Sequence, residues 1–487
     1  MSQTLLQAEL FAPAGHDPLG EAYARAHLPE ERRASGITLT PQWLVQRMLD
    51  LAATRDGFDT VVDCGAGSGR FAIAAALRFP HARVIAVEAH PEMAALLRRR
   101  LRDEALSHRV ELLEADYRQA GLPARGRTLF VGNPPYVRHH DLEPQWKEWY
   151  RRTMAAHGIV ASQLAGLHAQ FMLRTVELMR DGDAMLFVTA AEWLDNGYGQ
   201  AVRDLLGGAG DVALRSLWLA APDESVFPDA LVSSVVVEAQ RGGGDAAVQT
   251  GMIAGRALHP VRRLDRASLR AAQRWTPLCR EQPIAISGGA ELGELFRITR
   301  GQVTGLNSAW VVKPEDAMPA TLTVPAITRA REIIDDLAAT REGVARLARV
   351  VDLPSDLDAL ASPEREAALR FVDRARALGA DRSYIARHRT PWYRVGMREP
   401  PAAFVSYMGR RPPVFRANPQ RVSFLNIAHG LYPRAPMAEV VLSRILQHLN
   451  TTTDLYSGRV YGGGLAKFEP SDIARLRVPR ELLESVA

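Results

Sequence analysis

Cysteine is almost missing from this chain, whose 487 residues include only Cys64 and Cys279. A single pair is too few for a cysteine-rich metal cluster, and the adjacent His139 and His140 have no partner at metal-ligand spacing. We therefore predict no metal site. So little cysteine also argues against a disulfide framework, and this favours a cytoplasmic protein without disulfides.

Long apolar runs are missing as well. No stretch of about 18 or more apolar residues occurs, and no basic-then-apolar leader, so neither a membrane span nor a secretory signal is expected. The composition, with 47% hydrophobic and 24% charged residues, is that of a folded globular protein. At 487 residues the chain exceeds one ordinary core, and we expect two or three domains.

Lysine is scarce, and arginine carries nearly all of the positive charge. Residues 1–240 contain 24 Lys+Arg and 30 Asp+Glu, whereas the remaining residues contain 36 and 25. The net charge is therefore −6 in the first part and +11 in the second, although ordinary surface arginine accounts for some of the excess. A phosphate backbone would be attracted to the second part far more than to the first.

A glycine-rich loop follows an apolar run near residue 60. The segment Val61–Cys64, which contains Asp63, leads into glycines at positions 65, 67 and 69 and then into a helical pattern. Dinucleotide-binding loops have the wider spacing G-x-G-x-x-G, in which the extra residue makes room for a pyrophosphate. The tighter spacing of Gly65 and Gly67 suits a cofactor without a phosphate, whose amino-acid end lies against the backbone.

Two acidic residues follow the next two strand-like runs. The run Arg83–Val87 ends in Glu88, and the run Val110–Leu113 leads to Asp116. An acid at the end of the second strand can accept both hydroxyls of a ribose, and Asp116 is placed to accept from an adenine amino group. Each acid alone would usually be a solvated loop carboxylate, but three strand ends in this order favour a nucleoside site.

The segment Asn133-Pro134-Pro135-Tyr136 matches the chemistry of methylating an amine attached to a ring. Such an amine is a poor nucleophile because its lone pair is delocalised. The side-chain oxygen of Asn133 and the carbonyl of Pro134, held by two consecutive proline rings, could accept its two hydrogens and redirect the lone pair. Tyr136 offers a flat face on which a base can stack. The alternative interpretation is a plain Pro-Pro turn with an aromatic residue.

Together these motifs resemble class I S-adenosylmethionine-dependent methyltransferases. The segment Gly36–Pro41 resembles the N-terminal "x-x-T-P" segment of amino-group DNA methyltransferases, and its position before the glycine loop is the γ-class order of adenine-N6 enzymes. The resemblance implies that Phe171 and Phe227, with Tyr136, contact the flipped target base. The predicted cofactor-binding residues are Thr40, Asp63, Gly65, Gly67, Glu88, Asp116 and Asn133, and the predicted catalytic residues are Asn133, Pro134 and Tyr136.

The predicted fold is α/β: a doubly wound class I methyltransferase sheet, followed by a C-terminal mixed α+β target-recognition domain. We expect an N-terminal helical arm (1–35), the methyltransferase domain (36–240), a linker (241–285) and the recognition domain (286–487) with a helical insertion at about 328–389. The segments 296–307 and 461–470 resemble the start and the closing motif of such a recognition domain.

The predicted function is site-specific methylation of adenine N6 in double-stranded DNA, with S-adenosyl-L-methionine as cofactor and no membrane partner. Neither cysteine follows a proline, which argues against cytosine-C5 chemistry. Two alternatives are a glutamine-N5 protein methyltransferase, which also carries Asn-Pro-Pro-Tyr, and a non-catalytic DNA-binding specificity protein. A homodimer and a separate cognate restriction endonuclease stay open. The expected location is the cytoplasm of a bacterium, at the nucleoid when DNA is bound.

Overall fold

A strand of five buried residues, β1 (Thr60–Cys64), lies inside the large sheet of this computed structural model. The structure describes residues 16–34, 36–55, 57–123, 125–208, 211–221, 224, 226–227, 233–242, 244, 246–281, 289–312, 318–461 and 465–483. The chain divides into two compact units at residues 283/284.

The first unit is built on a nine-stranded sheet, as far as the described residues go, in the order β3-β2-β1-β4-β5-β7-β6-β8-β9. The strands after β1 are β2 (Arg83–Glu88), β3 (Val110–Glu114), β4 (Thr128–Gly132), β5 (Ala184–Ala190), β6 (Val212–Ala220), β7 (Ser234–Arg241), β8 (Val248–Ala254) and β9 (Ala257–Leu264). The strands β1 to β5 are parallel, and β7 is antiparallel to both of its neighbours. The predicted doubly wound α/β fold is confirmed.

Helices cover both faces of this sheet. They are α1 (Pro18–Ala26), α2 (Pro29–Ala34), α3 (Gln42–Ala53), α4 (Arg70–Arg78), α5 (Pro91–Asp103), α6 (Pro144–Ala156), α7 (Leu167–Leu178), α8 (Gln200–Gly207) and α9 (Arg266–Ala271). Alternate residues of β1 enter opposite cores, because successive side chains of a strand point to opposite faces. Val62 packs in the core that includes Met172 of α7, and Val61 packs in the core that includes Leu44 of α3.

The order of the strands fixes where a ligand can bind. The chain runs outward from β1 through β2 to β3 and then returns to β4 on the other side of β1. At such a reversal the connections after the two central strands diverge and leave a crevice at the carboxyl ends of the strands. The glycine loop follows β1 and Asn133 follows β4, so the predicted motifs flank the crevice.

Residues 241–285 are not a linker, and this prediction was wrong. The strand β8 pairs in parallel with β6, and β9 pairs with β8, so both extend the sheet of the first unit. Trp275 and Cys279 lie in the same core as the residues of α7. The glycine-rich sequence at the start of this range lies between β7 and β8, and glycine marks a turn inside a domain as readily as a domain boundary.

The corrected boundary also changes the distribution of charge. Residues 1–283 contain 32 basic and 33 acidic residues, and residues 284–487 contain 28 and 22. The net charges are therefore −1 and +6, so the contrast between the two parts is smaller than the sequence division at residue 240 indicated. The second unit keeps the positive excess.

The second unit is mixed α+β, as predicted. Its sheets have the orders β11-β19-β15-β17, β12-β14-β13-β18, β16-β21-β20 and β10-β22. The strands are β10 (Ala290–Glu291), β11 (Phe296–Arg300), β12 (Val311–Val312), β13 (Thr323–Ile327), β14 (Arg349–Val351), β15 (Ala403–Ser406), β16 (Met408–Gly409), β17 (Phe415–Ala417), β18 (Ser423–Phe424), β19 (Ala428–Pro433), β20 (Arg459–Tyr461), β21 (Leu465–Lys467) and β22 (Arg477–Val478).

The helices of this unit are α10 (Leu292–Leu295), α11 (Asn307–Trp310), α12 (Ala330–Ile334), α13 (Arg341–Ala345), α14 (Ser362–Ala377), α15 (Tyr384–Arg387), α16 (Glu439–Thr452) and α17 (Pro470–Ala474). The segment 328–389, predicted as a helical insertion, contains α12 to α15 but also β14, which pairs with β12 and β13. It is therefore part of a sheet and not an insertion beside one.

Parts of two other predicted features lie outside the described residues. The N-terminal arm is described from residue 16, where it forms α1 and α2, and the closing motif is described except for residues 462–464. Within the described part of the chain, no helix has the length and apolar character needed to cross a membrane.

Candidate active site

The three glycines of the loop after β1 have left-handed backbone conformations, with φ of +91° at Gly65, +54° at Gly67 and +88° at Gly69. A residue with a Cβ rarely adopts such angles, and a Cβ at Gly69 would collide with the side chain of Leu97. The backbone N–H of Gly65 donates to the carbonyl of Val87 at 3.0 Å, which ties the loop to the end of β2. The glycine spacing is therefore a requirement of the turn.

Glu88 joins the glycine loop to the end of β2. Its Oε2 accepts from the backbone N–H of Gly67 at 2.6 Å, and its Oε1 accepts from that of His90 at 2.6 Å. A carboxylate has about four lone-pair positions, so both oxygens can still accept further hydrogen bonds. Glu88 lines a cavity of about 300 Å³ in this part of the molecule, which is consistent with its predicted role toward a ribose.

Asp63 lies behind the loop and does not line this cavity. Its carboxyl group is fully buried, and its Oδ2 accepts from the N–H of Ala72 in the first turn of α4 at 2.9 Å. Its Oδ1 has no hydrogen-bond partner among the described residues. Burial, opposed by the hydrogen bond from Ala72 and aided by the nearby charge of Glu88, raises the pKa of Asp63 to about 8. Its direct structural role is to hold α4 behind the loop.

Asp116 carries a partner that the sequence motifs did not reveal. The guanidinium of Arg118 donates to both oxygens of the Asp116 carboxylate, with distances of 2.6 to 3.1 Å. Arg118 also donates to the side chain of Gln170 at 2.9 Å and lies 3.9 Å from the centre of the Trp146 ring. Arg118 and Asp116 both line the cavity, so Arg118 fixes the direction in which the remaining lone pairs of Asp116 point.

The segment before α3 forms another wall of the cavity. Gly36, Ile37, Thr38 and Leu39 line it, whereas the predicted Thr40 is buried beside them, and its carbonyl accepts from Arg70 at 2.8 Å. The predicted segment is therefore in place, but the cavity is lined by the four residues that precede Thr40 and not by Thr40 itself.

Asn133 has two polar atoms with different surroundings. Its Nδ2 donates to the carbonyl of Thr38 at 3.0 Å, and its Oδ1 is buried and has no hydrogen-bond partner among the described residues. Because a carbonyl can only accept, the bond to Thr38 engages the nitrogen and leaves the other end of the amide without a partner. That end is the oxygen, which can accept hydrogen bonds from an amine. A plain Pro-Pro turn would not require this arrangement.

Tyr136, three residues after Asn133 in the motif, contacts the distant Phe227. Their ring centroids are 6.3 Å apart and the rings are nearly perpendicular, which is a favourable edge-to-face contact. Burial raises the pKa of the Tyr136 hydroxyl well above its usual value, and this hydroxyl has no hydrogen-bond partner among the described residues. Pro134 is buried, whereas Pro228, which follows Phe227, lies outside the described residues.

Phe171 does not join this aromatic pair in the way that was predicted. It lines the same cavity as Gly65 and Asp116, and its ring centroid lies 5.0 Å from that of Tyr117. A Cβ at Gly65 would contact the Phe171 ring at 3.6 Å. The structure therefore places Phe171 against the glycine loop, on the side of the predicted cofactor. Its position in the first half of α7, next to Gly65 in the loop after β1, explains the difference.

Asp17 is a second residue that sequence reasoning missed. Its carboxylate is fully buried, accepts from the hydroxyl of Ser68 and from Nε of Arg70 at 2.8 Å, and lies 3.3 Å from Arg100. Burial opposes ionisation of Asp17, but Arg100, Ser68 and Arg70 together outweigh it and hold its pKa below the usual value. The N-terminal arm is thereby fixed to the glycine loop. A lone aspartate before Pro18 gave no signal of this contact.

Comparison with known proteins adds evidence from two directions. Residues 284–487 match the family model described as the C-terminal domain of type II methyltransferase M.Eco57I, and residues 61–155 match a methyltransferase-domain model. The first match begins at the division between the two units. The type II methyltransferase M.XamI of Xanthomonas campestris pv. amaranthicola is 40% identical over 470 residues, which cover 95% of this chain and 87% of that relative.

Two further similarities are more restricted. The release factor glutamine methyltransferase of Burkholderia pseudomallei (strain K96243) is 35% identical over 224 residues, which cover 43% of this chain and 76% of that protein. The type IIL restriction-modification enzyme MmeI, solved in complex with DNA, is similar in structure with a TM-score of 0.56 at 13% identity. The similarity covers 91% of this chain but only 64% of the MmeI chain, and at this identity it shows the fold alone.

Proposed function

This chain belongs to the type II methyltransferase family, and we propose that it methylates N6 of an adenine that has left the base stack of duplex DNA. Membership of this family gives the starting point of the proposal: type II methyltransferases use S-adenosylmethionine and act on DNA. The choice of adenine N6, the flipping of the base and the roles of individual residues are our proposal.

The observation that carries the proposal is the orientation of Asn133. Its oxygen is buried and unpartnered beside the cavity, while its nitrogen is bound to Thr38. A buried acceptor without a partner costs about 1–3 kcal/mol, so its presence calls for a donor that arrives with the substrate. The exocyclic amine of adenine is such a donor. When Asn133 accepts one of its hydrogens, the nitrogen lone pair is drawn out of the ring system and becomes available for transfer.

The cavity residues fit S-adenosylmethionine. Glu88 would accept from the ribose hydroxyls, Asp116 held by Arg118 would accept from the adenine amino group, and Phe171 would lie against the adenosyl part. The glycine loop leaves a backbone surface for the amino-acid end. The bound cofactor supplies an electrophilic methyl group. The protein contributes position and hydrogen-bond polarisation, which are the main sources of rate in such a transfer.

The target base would be held by Tyr136 and Phe227. An amine inside a duplex is out of reach, so the base has to rotate out of the stack at a cost of a few kcal/mol. Tyr136 belongs to the same motif as Asn133, and the buried Phe227 lies edge-to-face against it, so the pair would provide the aromatic contact for the extruded base. Stacking on an aromatic side chain is worth about 1–3 kcal/mol per base and offsets much of that cost.

The glutamine-N5 alternative is supported by the similarity of the catalytic half to a release factor methyltransferase. An amide amine poses the same lone-pair problem, so Asn133 alone does not separate the two substrates. The second unit does separate them, because its whole length matches the C-terminal domain of a DNA-modifying family. The similarity to the release factor methyltransferase covers 43% of this chain.

Single-molecule sequencing of genomic DNA from cells that express the chain tests the proposal directly. We expect N6-methyladenine in one sequence context, and no such mark in cells that express Asn133→Ala. Methylation at cytosine would contradict the adenine assignment. Unmodified DNA, together with methyl transfer to the glutamine of a release factor, would favour the alternative.

A further inference from the structure

The positive charge of the second unit is concentrated in one stretch of the chain. Residues 284–487 have a net charge of +6, from 28 basic and 22 acidic residues. Residues 382–438 contain ten arginines and a single acid, Glu399, which is a net charge of +9. The rest of the unit therefore has a net charge of −3. A phosphate backbone would be attracted to this stretch and not to the unit as a whole.

The beginning of the stretch, residues 382–398, is here named the basic segment. It contains five arginines and no acid. Arg382, Arg387 and Arg394 are exposed, and in the part of the chain that the structure describes none of the three forms an ion pair. Their charges are therefore available to an external anion.

Some exposed arginines elsewhere in the unit are paired with acids. Arg331 lies 2.9 Å from Asp335, Arg365 lies 2.6 Å from Asp358, and Arg370 lies 3.5 Å from Glu366. Others, such as Arg341 and Arg346, are exposed and form no ion pair among the described residues. What distinguishes the basic segment is therefore the number of arginines close together in a stretch that contains no acid.

An aromatic side chain, that of Tyr384, lies between Arg382 and Arg387 in the chain. Tyr384 is 74% exposed, and its ring centroid lies 4.3 Å from that of His388, whose Nδ1 lies 2.7 Å from the carbonyl of Tyr384. Such a ring offers a flat apolar face that can contact a sugar or a base edge. Exposed arginine alternating with an exposed aromatic ring is the pattern of a nucleic-acid surface.

The basic segment is fixed to the rest of the unit by hydrogen bonds. The guanidinium of Arg389 donates to the carbonyl of Thr304 at 3.0 Å and to that of Val303, and Gln302 donates to the carbonyl of Val395 at 2.9 Å. Gly305 has φ of +95°, and a Cβ there would collide with the hydroxyl of Ser383. The sequence motif at 296–307 is therefore the support on which the segment rests.

The nearby acids do not neutralise the exposed arginines. Asp352 accepts from the backbone N–H groups of Gly396 at 3.0 Å and Met397 at 3.2 Å, and Glu399 pairs with Arg421 at 2.9 Å. A surface held by such bonds presents its charges at fixed positions, which lowers the entropy lost when a ligand binds.

We propose that the basic segment lies against the phosphate backbone of duplex DNA, with Arg382, Arg387 and Arg394 on phosphates and Tyr384 against a sugar or base edge. This inference rests on the proposed function for the identity of the ligand. It goes further by assigning the contact to one segment and by giving the 296–307 motif the role of supporting that segment.

The test compares two triple variants that remove the same number of charges. The first is R382A/R387A/R394A, and the control is R331A/R365A/R370A, whose arginines are equally exposed but paired. Affinity for a DNA fragment that the wild type methylates is measured at several salt concentrations. Removing one arginine from a phosphate should lower the slope of log K against log[salt] by about 0.9, so the slope of the first variant should fall by roughly 2–3. The control should keep the wild-type slope.

Each outcome separates this inference from the proposed function. Equal slopes for the first variant and the wild type, or an equal fall in the control, would overturn the assignment while DNA methylation by the wild type stands. A wild type that neither methylates DNA nor binds it with a salt-dependent affinity would instead contradict the proposed function. Unchanged S-adenosylmethionine affinity and melting temperature in both variants are the folding controls.

A second pair of variants tests the aromatic contact. Tyr384→Ala should weaken duplex binding by about 5-fold or more, the loss of a contact worth at least about 1 kcal/mol, whereas Tyr384→Phe should retain wild-type affinity because the ring remains. Equal affinity of the alanine variant and the wild type would show that Tyr384 does not touch DNA.

Discussion

At the scale of single residues, the site depends on polar atoms whose partners the folded chain supplies only in part. Asn133 uses its nitrogen on Thr38 and leaves its oxygen unpartnered, and Asp63 uses one oxygen on α4 and leaves the other unpartnered among the described residues. Buried polar atoms are normally satisfied, so the unpartnered oxygen of Asn133, which lines the cavity, is consistent with a group that arrives with a ligand, whereas Asp63 lies behind the loop.

The first prediction concerns Asn133. Asn133→Ala should retain S-adenosylmethionine binding within a few-fold but lose methyl transfer by at least about 10²-fold, the loss typical of removing one transition-state hydrogen bond. Calorimetry with the cofactor and transfer of a tritiated methyl group to DNA measure the two quantities. A variant with substantial residual transfer would show that Asn133 does not polarise the acceptor amine.

The second prediction concerns pH and Asp63. Its folded-state pKa of about 8 lies above its unfolded value, so the folded state holds a proton that the unfolded state releases, and Asp63 lowers stability progressively as pH rises toward 8. Asp63→Asn cannot ionise. The melting temperature of this variant relative to wild type should therefore be higher at pH 8.5 than at pH 5.5. A difference that is independent of pH would mean that Asp63 is ionised throughout.

At the scale of elements, the N-terminal arm and the glycine loop act as one structure. Asp17 at the start of α1 contacts Ser68 and Arg70 after the loop and Arg100 on α5. Arg70 also reaches the carbonyl of Thr40, so the arm, the loop and the segment that walls the cavity are connected by charged hydrogen bonds. Charge-assisted bonds are about twice as strong as neutral ones, which makes this connection a determinant of the site's shape.

The third prediction tests this connection. Asp17→Ala leaves Arg100 buried, although Glu104 at 3.0 Å remains as a partner. The cost should therefore be near the lower end of the roughly 3–5 kcal/mol found when one partner of a buried pair is removed. Asp50→Ala, which removes an exposed pair with Arg78, should cost at most about 1 kcal/mol. Chemical denaturation measures both, and similar costs for the two variants would contradict a special role of Asp17.

At the scale of the whole molecule, the division at residues 283/284 separates the residues proposed for methyl transfer from the basic segment. Every residue that lines the cavity precedes the division, and the match to the C-terminal family domain begins at it. The strands β8 and β9 belong to the first unit because β8 extends β6 and the residues around Cys279 fill its core.

The fourth prediction follows from this division. A fragment of residues 1–283 should unfold cooperatively and bind S-adenosylmethionine, but it should lose tight duplex binding. A fragment that ends at residue 243 should be much less stable, because it lacks β8 and β9 and exposes the edge of β6 together with Trp218. Thermal unfolding measures the stability of the two fragments, and binding isotherms at several salt concentrations measure their affinity for duplex DNA. Equal stability of the two fragments would indicate that residues 244–283 act as a linker.

The local motifs of the sequence determined the class of the fold, the cofactor and the family. The glycine spacing, the acids after β2 and β3 and the segment at Asn133 each follow a strand, and their chemistry depends on neighbours along the chain. Such short-range relations can be read from residue order. The family and the fold class that they predicted are confirmed by M.XamI and by the strand order.

Only the tertiary structure decided which residues meet across long distances. The bond from Asn133 to Thr38 spans 95 positions, the ion pair of Asp17 with Arg70 spans 53, and Arg118 reaches Gln170 across 52. Phe171 lies at the cofactor side for the same reason, since helix α7 packs under the loop after β1. The sequence showed charge in the second half, but the exposure and pairing of each arginine depend on the packing of segments far apart in the chain. These contacts depend on how helices and strands pack against one another, and no local pattern encodes that packing.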